Sequence, residues 1–158
     1  MAYIFMAVFA ALVLFLDQFT KFLTVANIAL FSKVDFLPGL FSLTYVQNDG
    51  AAFSMLEGQQ WLFAVVFVIF AMFIIWEFSK KRMPFTTFER FCIVAVFAGG
   101  LGNMIDRLRL GYVVDMIHTD FINFPVFNVA DIFITCGCIL LMLHLIFFNK
   151  EFWKDEKK

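Results

Sequence analysis

Four long apolar runs leave this chain few ways to fold. Met1–Leu16 carries no charged side chain and continues past Asp17 and Lys21 to about Val25. Gly58–Trp76 is uninterrupted, Phe91–Ile105 is uncharged, and Ile132–Asn149 carries only His144. A helix needs about 20 residues to cross the hydrocarbon of a bilayer. Inside lipid every backbone group must be satisfied within the protein, which leaves helices or closed barrels. The second and fourth runs are long enough alone, whereas the first and third must take in Asp17 and Asp106 near one end. The chain is 63% hydrophobic, against about 45–50% for soluble domains. An all-α membrane protein is expected, one unit over 1–158, with transmembrane helices near 2–25, 58–78, 88–106 and 128–149. Residues 26–57 and 107–127 are left as outer loops.

Several classes fall away. A net charge of −1 offers no basic field for nucleic acid. Cys92, Cys136 and Cys138 all lie in apolar runs and read as packing residues, not a disulfide framework. The first run lacks a basic leading region and a small-residue cleavage site, so it is expected to stay as a helix.

Basic residues orient the helices, because Lys and Arg favour cytoplasmic loops. The hairpin 79–90 holds Lys80, Lys81, Arg82 and Arg90, and the tail holds Lys150, Lys154, Lys157 and Lys158. The hairpin and both termini are therefore expected in the cytoplasm. On this orientation Asp17 and Lys21, Asn103, Asp106 and Arg107, and Asn128 and Asp131 all fall at the outer ends of their helices. Ionisable residues at membrane depth are costly and mark function by default. Their gathering at one end predicts a site there.

The first outer loop contains the turn signal Pro38-Gly39 and a β-prone stretch from Leu40 to Val46. A small sheet lying on the outer interface is expected. Gln47 to Phe53 supplies a polar turn rich in small residues, in which Gly50 permits close backbone approach and Asn48 offers a donor and an acceptor. In the second outer loop, Val113-Val114-Asp115 reads as a short extended piece.

The chemistry turns on the carboxylates. Asp17 and Lys21 are four apart on one helix face, either a neutralising pair or a means of positioning substrate. Gly99, Gly100 and Gly102 let helices approach closely. Asn103 and Asp106 share a face, and an Asp106–Arg107 clamp is plausible. Asp115 and Asp131 are the candidates for reaction. Two carboxylates held close cannot both ionise cheaply, so one keeps its proton. The pair then offers a base for water and an acid for a carbonyl. Asp131 stands in the first turn of its helix, where the dipole favours an anion, and Asn128 suits the cap. Which acid plays which part stays open. A metal on His118, Asp115 and Asp120 is the weaker alternative, since their spacing matches no usual ligand set.

Five stretches carry a resemblance. They are Asp17-Gln18-Phe19-Thr20-Lys21; Asn48-x-Gly50-Ala51-Ala52-Phe53; Gly99-Gly100-x-Gly102-Asn103-x-x-Asp106-Arg107; Val113-Val114-Asp115; and Phe127-Asn128-x-Ala130-Asp131. In this order, across nearly the whole chain, they resemble bacterial lipoprotein signal peptidase (signal peptidase II). Met116 stands where that family usually has Phe. The resemblance implies a cofactor-free aspartic endopeptidase of the bacterial inner membrane. It would cleave diacylglyceryl-modified prolipoproteins just before the lipidated cysteine. It implies Asp115 and Asp131 as the catalytic dyad, and Asp17, Lys21, Asn48, Gly50, Asn103, Asp106, Arg107 and Asn128 as substrate-binding or supporting residues. It implies a β-cradle in the first outer loop, membrane lipids as neighbours, and globomycin-type cyclic peptides as inhibitors. A monomer is expected. A small ion-coupled transporter and a non-enzymatic membrane scaffold are the rival classes.

Overall fold

The computed structural model describes residues 1–50, 58–80 and 83–154. Ala51, Ala52 and Phe53 of the small-residue turn, Lys81 and Arg82 of the basic hairpin, and Lys157 and Lys158 of the tail lie outside the described residues. Four helices are long and apolar enough to cross a membrane: α1 (Ala2–Asn27), α2 (Gln60–Lys80), α3 (Thr87–Leu110) and α4 (Val129–Phe147). Three strands, β1 (Lys33–Leu37), β2 (Phe41–Asn48) and β3 (Val113–Thr119), form one antiparallel sheet in the order β1-β2-β3. A short 3-10 turn (Lys150–Trp153) follows α4.

Helix α3 is the central helix, more than half buried over its apolar window, while the other three present most of theirs outward. Its glycines are the reason. A Cβ on Gly99 would stand 2.6 Å from the Ala130 carbonyl oxygen and 2.9 Å from Ile134 Cγ1. A Cβ on Gly102 would run into the Asp17 carboxylate, and one on Gly137 of α4 would lie 2.8 Å from Val96 Cγ2. Removing side chains on these faces brings α1 and α4 against the α3 backbone, where lipid supplies no hydrophobic drive and van der Waals packing does the work. A Thr86/Glu89 capping box starts α3. Gly111, in the left-handed region at φ 84°, ends it. The helix therefore runs one turn past the expected 106, and Asp106, Arg107 and Arg109 are all helical.

The sheet draws its third strand from the second outer loop, pairing Val46 with Asp115 and Asn48 with Val113. Phe127 then bonds back to β3: its carbonyl accepts from Met116 N (3.0 Å) and Ile117 N (2.8 Å), and its N–H donates to Ile117 O (3.1 Å). Strand β3 thereby fixes where α4 begins. The outer strand β1 is exposed throughout, with Val34, Phe36 and Leu37 uncovered alongside Phe31 and Leu40. An apolar exposed edge continuous with four apolar helices suits a lipid interface rather than water.

One expectation needs correcting. Charge does not gather at a single end of the bundle. Glu77 and Glu89 are completely buried near the opposite end, with Glu89 about 25 Å along α3 from Asp106 at 1.5 Å per residue. Glu89 accepts from Thr86 N (2.6 Å) and Asn149 Nδ2 (2.7 Å) and pairs with His144 Nδ1 (2.8 Å). Glu77 accepts from Met83 N (3.1 Å) and faces Arg90 Nη2 at 3.4 Å. Both glutamates fall inside the expected spans, at the ends that face the 79–90 hairpin. Glu77 ties the end of α2 to Met83 and Arg90, and Glu89 binds the C-terminal end of α4 to the N-terminal end of α3.

The glycine contacts carry a prediction. Gly99→Val should separate α3 from α4 and lower stability by at least about 1–3 kcal/mol, the usual range for overpacking. Thermal unfolding of the detergent-solubilised protein reads this out, and an unchanged midpoint would contradict the packing described.

Candidate active site

Asp115 and Asp131 reach one place from two elements. Asp131 is the third residue of α4 and closes a capping box with Asn128: Asp131 N donates to Asn128 Oδ1 (3.0 Å), and Asn128 N donates to Asp131 Oδ2 (3.1 Å). Asn128 also donates from Nδ2 to Asp115 Oδ1 at 2.7 Å. A single buried asparagine thus joins both carboxylates. Asn48, at the end of β2, donates from Nδ2 to the other Asp115 oxygen (2.8 Å), while its Oδ1 accepts from Gly50 N (3.0 Å). Asn103 donates from Nδ2 to Asp131 Oδ1 at 2.8 Å. Each acid therefore accepts two N–H bonds. Burial pushes the Asp115 carboxyl up to about 7, with the Asp131 charge acting in the same direction against the bonds from Asn48 and Asn128.

Behind this pair lies a buried ionic lattice. Lys21 Nζ bonds Asp17 Oδ2 (2.9 Å), Asp106 Oδ2 (3.0 Å) and Asn103 Oδ1 (2.9 Å). Asp17 Oδ1 accepts the backbone N–H of Ala130 at 3.0 Å, and Asp106 Oδ2 accepts that of Val114 at 3.1 Å. Each of these carboxylates holds the residue immediately before Asp131 or Asp115. Gln18 closes the lattice, donating from Nε2 to Asp17 Oδ2 (3.1 Å), Gly102 O (3.2 Å) and Asp106 Oδ1 (3.1 Å).

In front lies a cavity of about 420 Å³. Asn48, Gly50, Asn103, Arg107, Asp115 and Asp131 line its polar side, and Phe124 to Phe127, Ile132, Thr135 and Cys136 line the other. The ten residues expected at a site thus divide. Asn48, Gly50, Asn103 and Arg107 face the cavity with the two acids. Asp17, Lys21, Asp106 and Asn128 are buried behind them.

Three readings of the sequence change. Arg107 does not clamp Asp106, because successive helical residues point in different directions. Asp106 turns to Lys21, while Arg107 Nη2 donates to Gly50 O (2.9 Å) and its guanidinium lies 4.2 Å from the Phe63 ring centre. His118 and Asp120 do not join Asp115. They bond each other at 3.1 Å beside Ser42, at the other end of the β2–β3 pairing. There Lys33 and Ser42 draw the Asp120 carboxyl down to about 2. Cys136 is exposed and lines the cavity, unlike buried Cys92. Gln18 is a further site residue, and nothing in sequence beyond its place inside the Asp17–Lys21 stretch signals the contacts it makes with Asp17, Gly102 and Asp106. The apolar wall had no signal in sequence beyond Pro125 and the phenylalanines around it.

The comparisons with known proteins agree with this geometry. Residues 9–147 match the family model of signal peptidase (SPase) II. Lipoprotein signal peptidases of Streptococcus pyogenes serotypes M1 and M5 (strain Manfredo) are each 45% identical over 141 residues, 89% of this chain and 88% of theirs. Two solved structures of bacterial membrane enzymes superpose with TM-scores of 0.86 and 0.81, both at 32% identity. The first covers 97% of this chain and 93% of its own, the second 91% and 94%. Motif order, helix count, buried polar lattice and overall similarity converge, and the chain belongs to the signal peptidase II family.

Proposed function

We propose that this protein is an aspartic endopeptidase that removes signal peptides from diacylglyceryl-modified prolipoproteins, cleaving before the lipidated cysteine. The observation that carries the reading is the joining of Asp115 and Asp131 through one buried asparagine at the floor of a half-apolar cavity. Asp131 is the base. It stands at a helix N-terminus, where the dipole favours its charge, and accepts N–H bonds from Asn128 and Asn103. Asp115, pushed up to about 7 by burial, keeps the proton.

The steps follow. Asp131 takes a proton from water, and the water oxygen attacks the scissile carbonyl. The Asp115 proton passes to the carbonyl oxygen as negative charge develops there. Collapse of the tetrahedral intermediate breaks the C–N bond. The proton held by Asp131 goes to the leaving amine, and Asp115 recovers its own. Both carboxyls end as they began, and no cofactor takes part. The apolar wall from Phe124 to Ile132 suits a substrate whose lipid stays in the membrane, and Arg107 with Asn48 suits its polar backbone. The same cavity is the proposed seat of globomycin-type cyclic peptides.

The protein is read as a monomer and a single unit in the bacterial inner membrane, surrounded by lipid. The hairpin 79–90 and both termini are cytoplasmic, and the site faces the outer side. Basic residues in the hairpin and tail support that orientation. The exposed apolar sheet edge, continuous with the helices, supports a cradle resting on the outer surface.

Three outcomes test this. Asp115→Asn and Asp131→Asn should each reduce cleavage of a diacylglyceryl-modified precursor by at least about a hundredfold, the lower range for a lost general acid or base. Retained cleavage by either variant would remove the dyad. Because Asp115 must hold a proton, kcat/KM should fall as pH rises through about 7. A rate still climbing across that range would reverse the assignment. With Cys92, Cys136 and Cys138 replaced by serine, a cysteine placed at Ser79 should react with a membrane-impermeant thiol reagent only from the cytoplasmic side. Labelling from outside would invert the topology.

A further inference from the structure

We propose that Lys21 is a positioning residue for the reaction: by occupying Asn103 Oδ1 it fixes that carboxamide's orientation and keeps Asn103 Nδ2 turned toward Asp131. The inference rests on the dyad reading above, and goes beyond it by naming what keeps Asp131 usable as a base.

An ammonium has three N–H donors. Those of Lys21 are taken by Asp17 at 2.9 Å, Asp106 at 3.0 Å and Asn103 at 2.9 Å. Its side chain is 4% exposed, and it does not line the cavity. Lys21 therefore has no donor left for substrate, which leaves action through its partners. Two of those partners are carboxylates that anchor backbone. The third, Asn103, touches Asp131 directly.

A carboxamide has nearly the same shape in its two flipped orientations, and its surroundings choose between them. Around Asn103 the choice is forced. Its oxygen accepts from Lys21 Nζ and from Asn128 Nδ2 (3.1 Å), and its nitrogen meets Asp131 Oδ1 at 2.8 Å. The flipped form would set NH2 against the ammonium and an oxygen against a carboxylate, turning two attractions into two repulsions. Without Lys21, the Asn128 N–H and the Asp131 carboxylate alone oppose the flip, and the charged donor on the oxygen is lost. The charged groups facing Asp131 are Arg107 from α3 and Asp115 from β3. Those facing Lys21 are Asp17 of its own helix, Asp106 of α3 and, more distantly, Asp115. The carboxylates among these have no proton to donate at Asn103 Oδ1 when ionised, and Arg107 Nη2 is engaged with Gly50 O.

The test is a pH profile of kcat on a diacylglyceryl-modified precursor. Lys21→Met alone strands two buried carboxylates, so the informative variant is the triple Asp17→Asn/Lys21→Met/Asp106→Asn, which removes charge from all three. Asn103→Leu leaves the Lys21 ion pairs intact. Both should move the acid limb of kcat to higher pH by about one unit or more, with KM held within about twofold. Combining them should shift the limb no further, because both act through one carboxamide. A triple variant with the parental acid limb, shifts that add, or an unshifted limb in Asn103→Leu alone would each overturn the proposal. Those outcomes leave the dyad standing. The dyad itself fails only if Asp115→Asn or Asp131→Asn still cleaves.

Discussion

The buried ion cluster of Asp17, Lys21 and Asp106 is the constraint on which the rest of the outer half depends. Two carboxylates and one ammonium have been taken out of water together, and each is fully engaged. Breaking such a cluster by removing one partner typically costs about 3–5 kcal/mol, because the remaining charge stays buried without compensation. That cost gives the cluster its authority over geometry. Asp17 holds the backbone at Ala130 and Asp106 holds it at Val114, so Asp131 and Asp115 are located by hydrogen bonds to their immediate neighbours. Helix α1, which contributes neither acid, thus reaches Asp131 through Asp17 and Asp115 through the pairing of Lys21 with Asp106.

The amides form the second layer. Asn48, Asn103 and Asn128 each bind with both ends of the carboxamide, and each touches a member of the dyad. An amide held at both ends has one orientation, and so does the carboxylate that meets it. Reactive groups work best when their neighbours are fixed before substrate arrives. Here N–H donors and one buried cation do that fixing. Arg107 extends the arrangement outward by tying the Gly50 carbonyl to α3 across the face of Phe63. The turn after β2 is thereby linked to the wall of the cavity.

Much of this was legible in the sequence, for identifiable reasons. A span announces itself through uninterrupted apolar length, and an acid at its mouth stands out against that background. The Asn128/Asp131 cap and the Asp17/Lys21 pair are local, and local spacing predicts them. The failures are nonlocal. The third strand of the sheet comes from a loop more than sixty residues beyond its partner and reads in sequence as one extended fragment. Asp106 and Arg107 are adjacent in sequence and invite pairing, yet the helix turns them to different neighbours. Glu89 falls inside an expected span, and the His144 and Asn149 contacts that engage its buried carboxylate come from residues 55 and 60 positions later, a distance that local spacing does not reveal. The division of the polar residues into a cavity-facing set and a buried set follows from three-dimensional packing, which motif order does not encode.

The central claim is that the dyad is electrically split, with Asp115 holding the proton beside an ionised Asp131. Infrared difference spectroscopy of the intact enzyme in bilayers reads this directly, because a protonated carboxyl and a carboxylate absorb separately. A carboxyl band that titrates through about pH 7 should be present in the parent and absent from Asp115→Asn. A band that survives in Asp115→Asn and vanishes in Asp131→Asn would place the proton on the other acid and contradict the account.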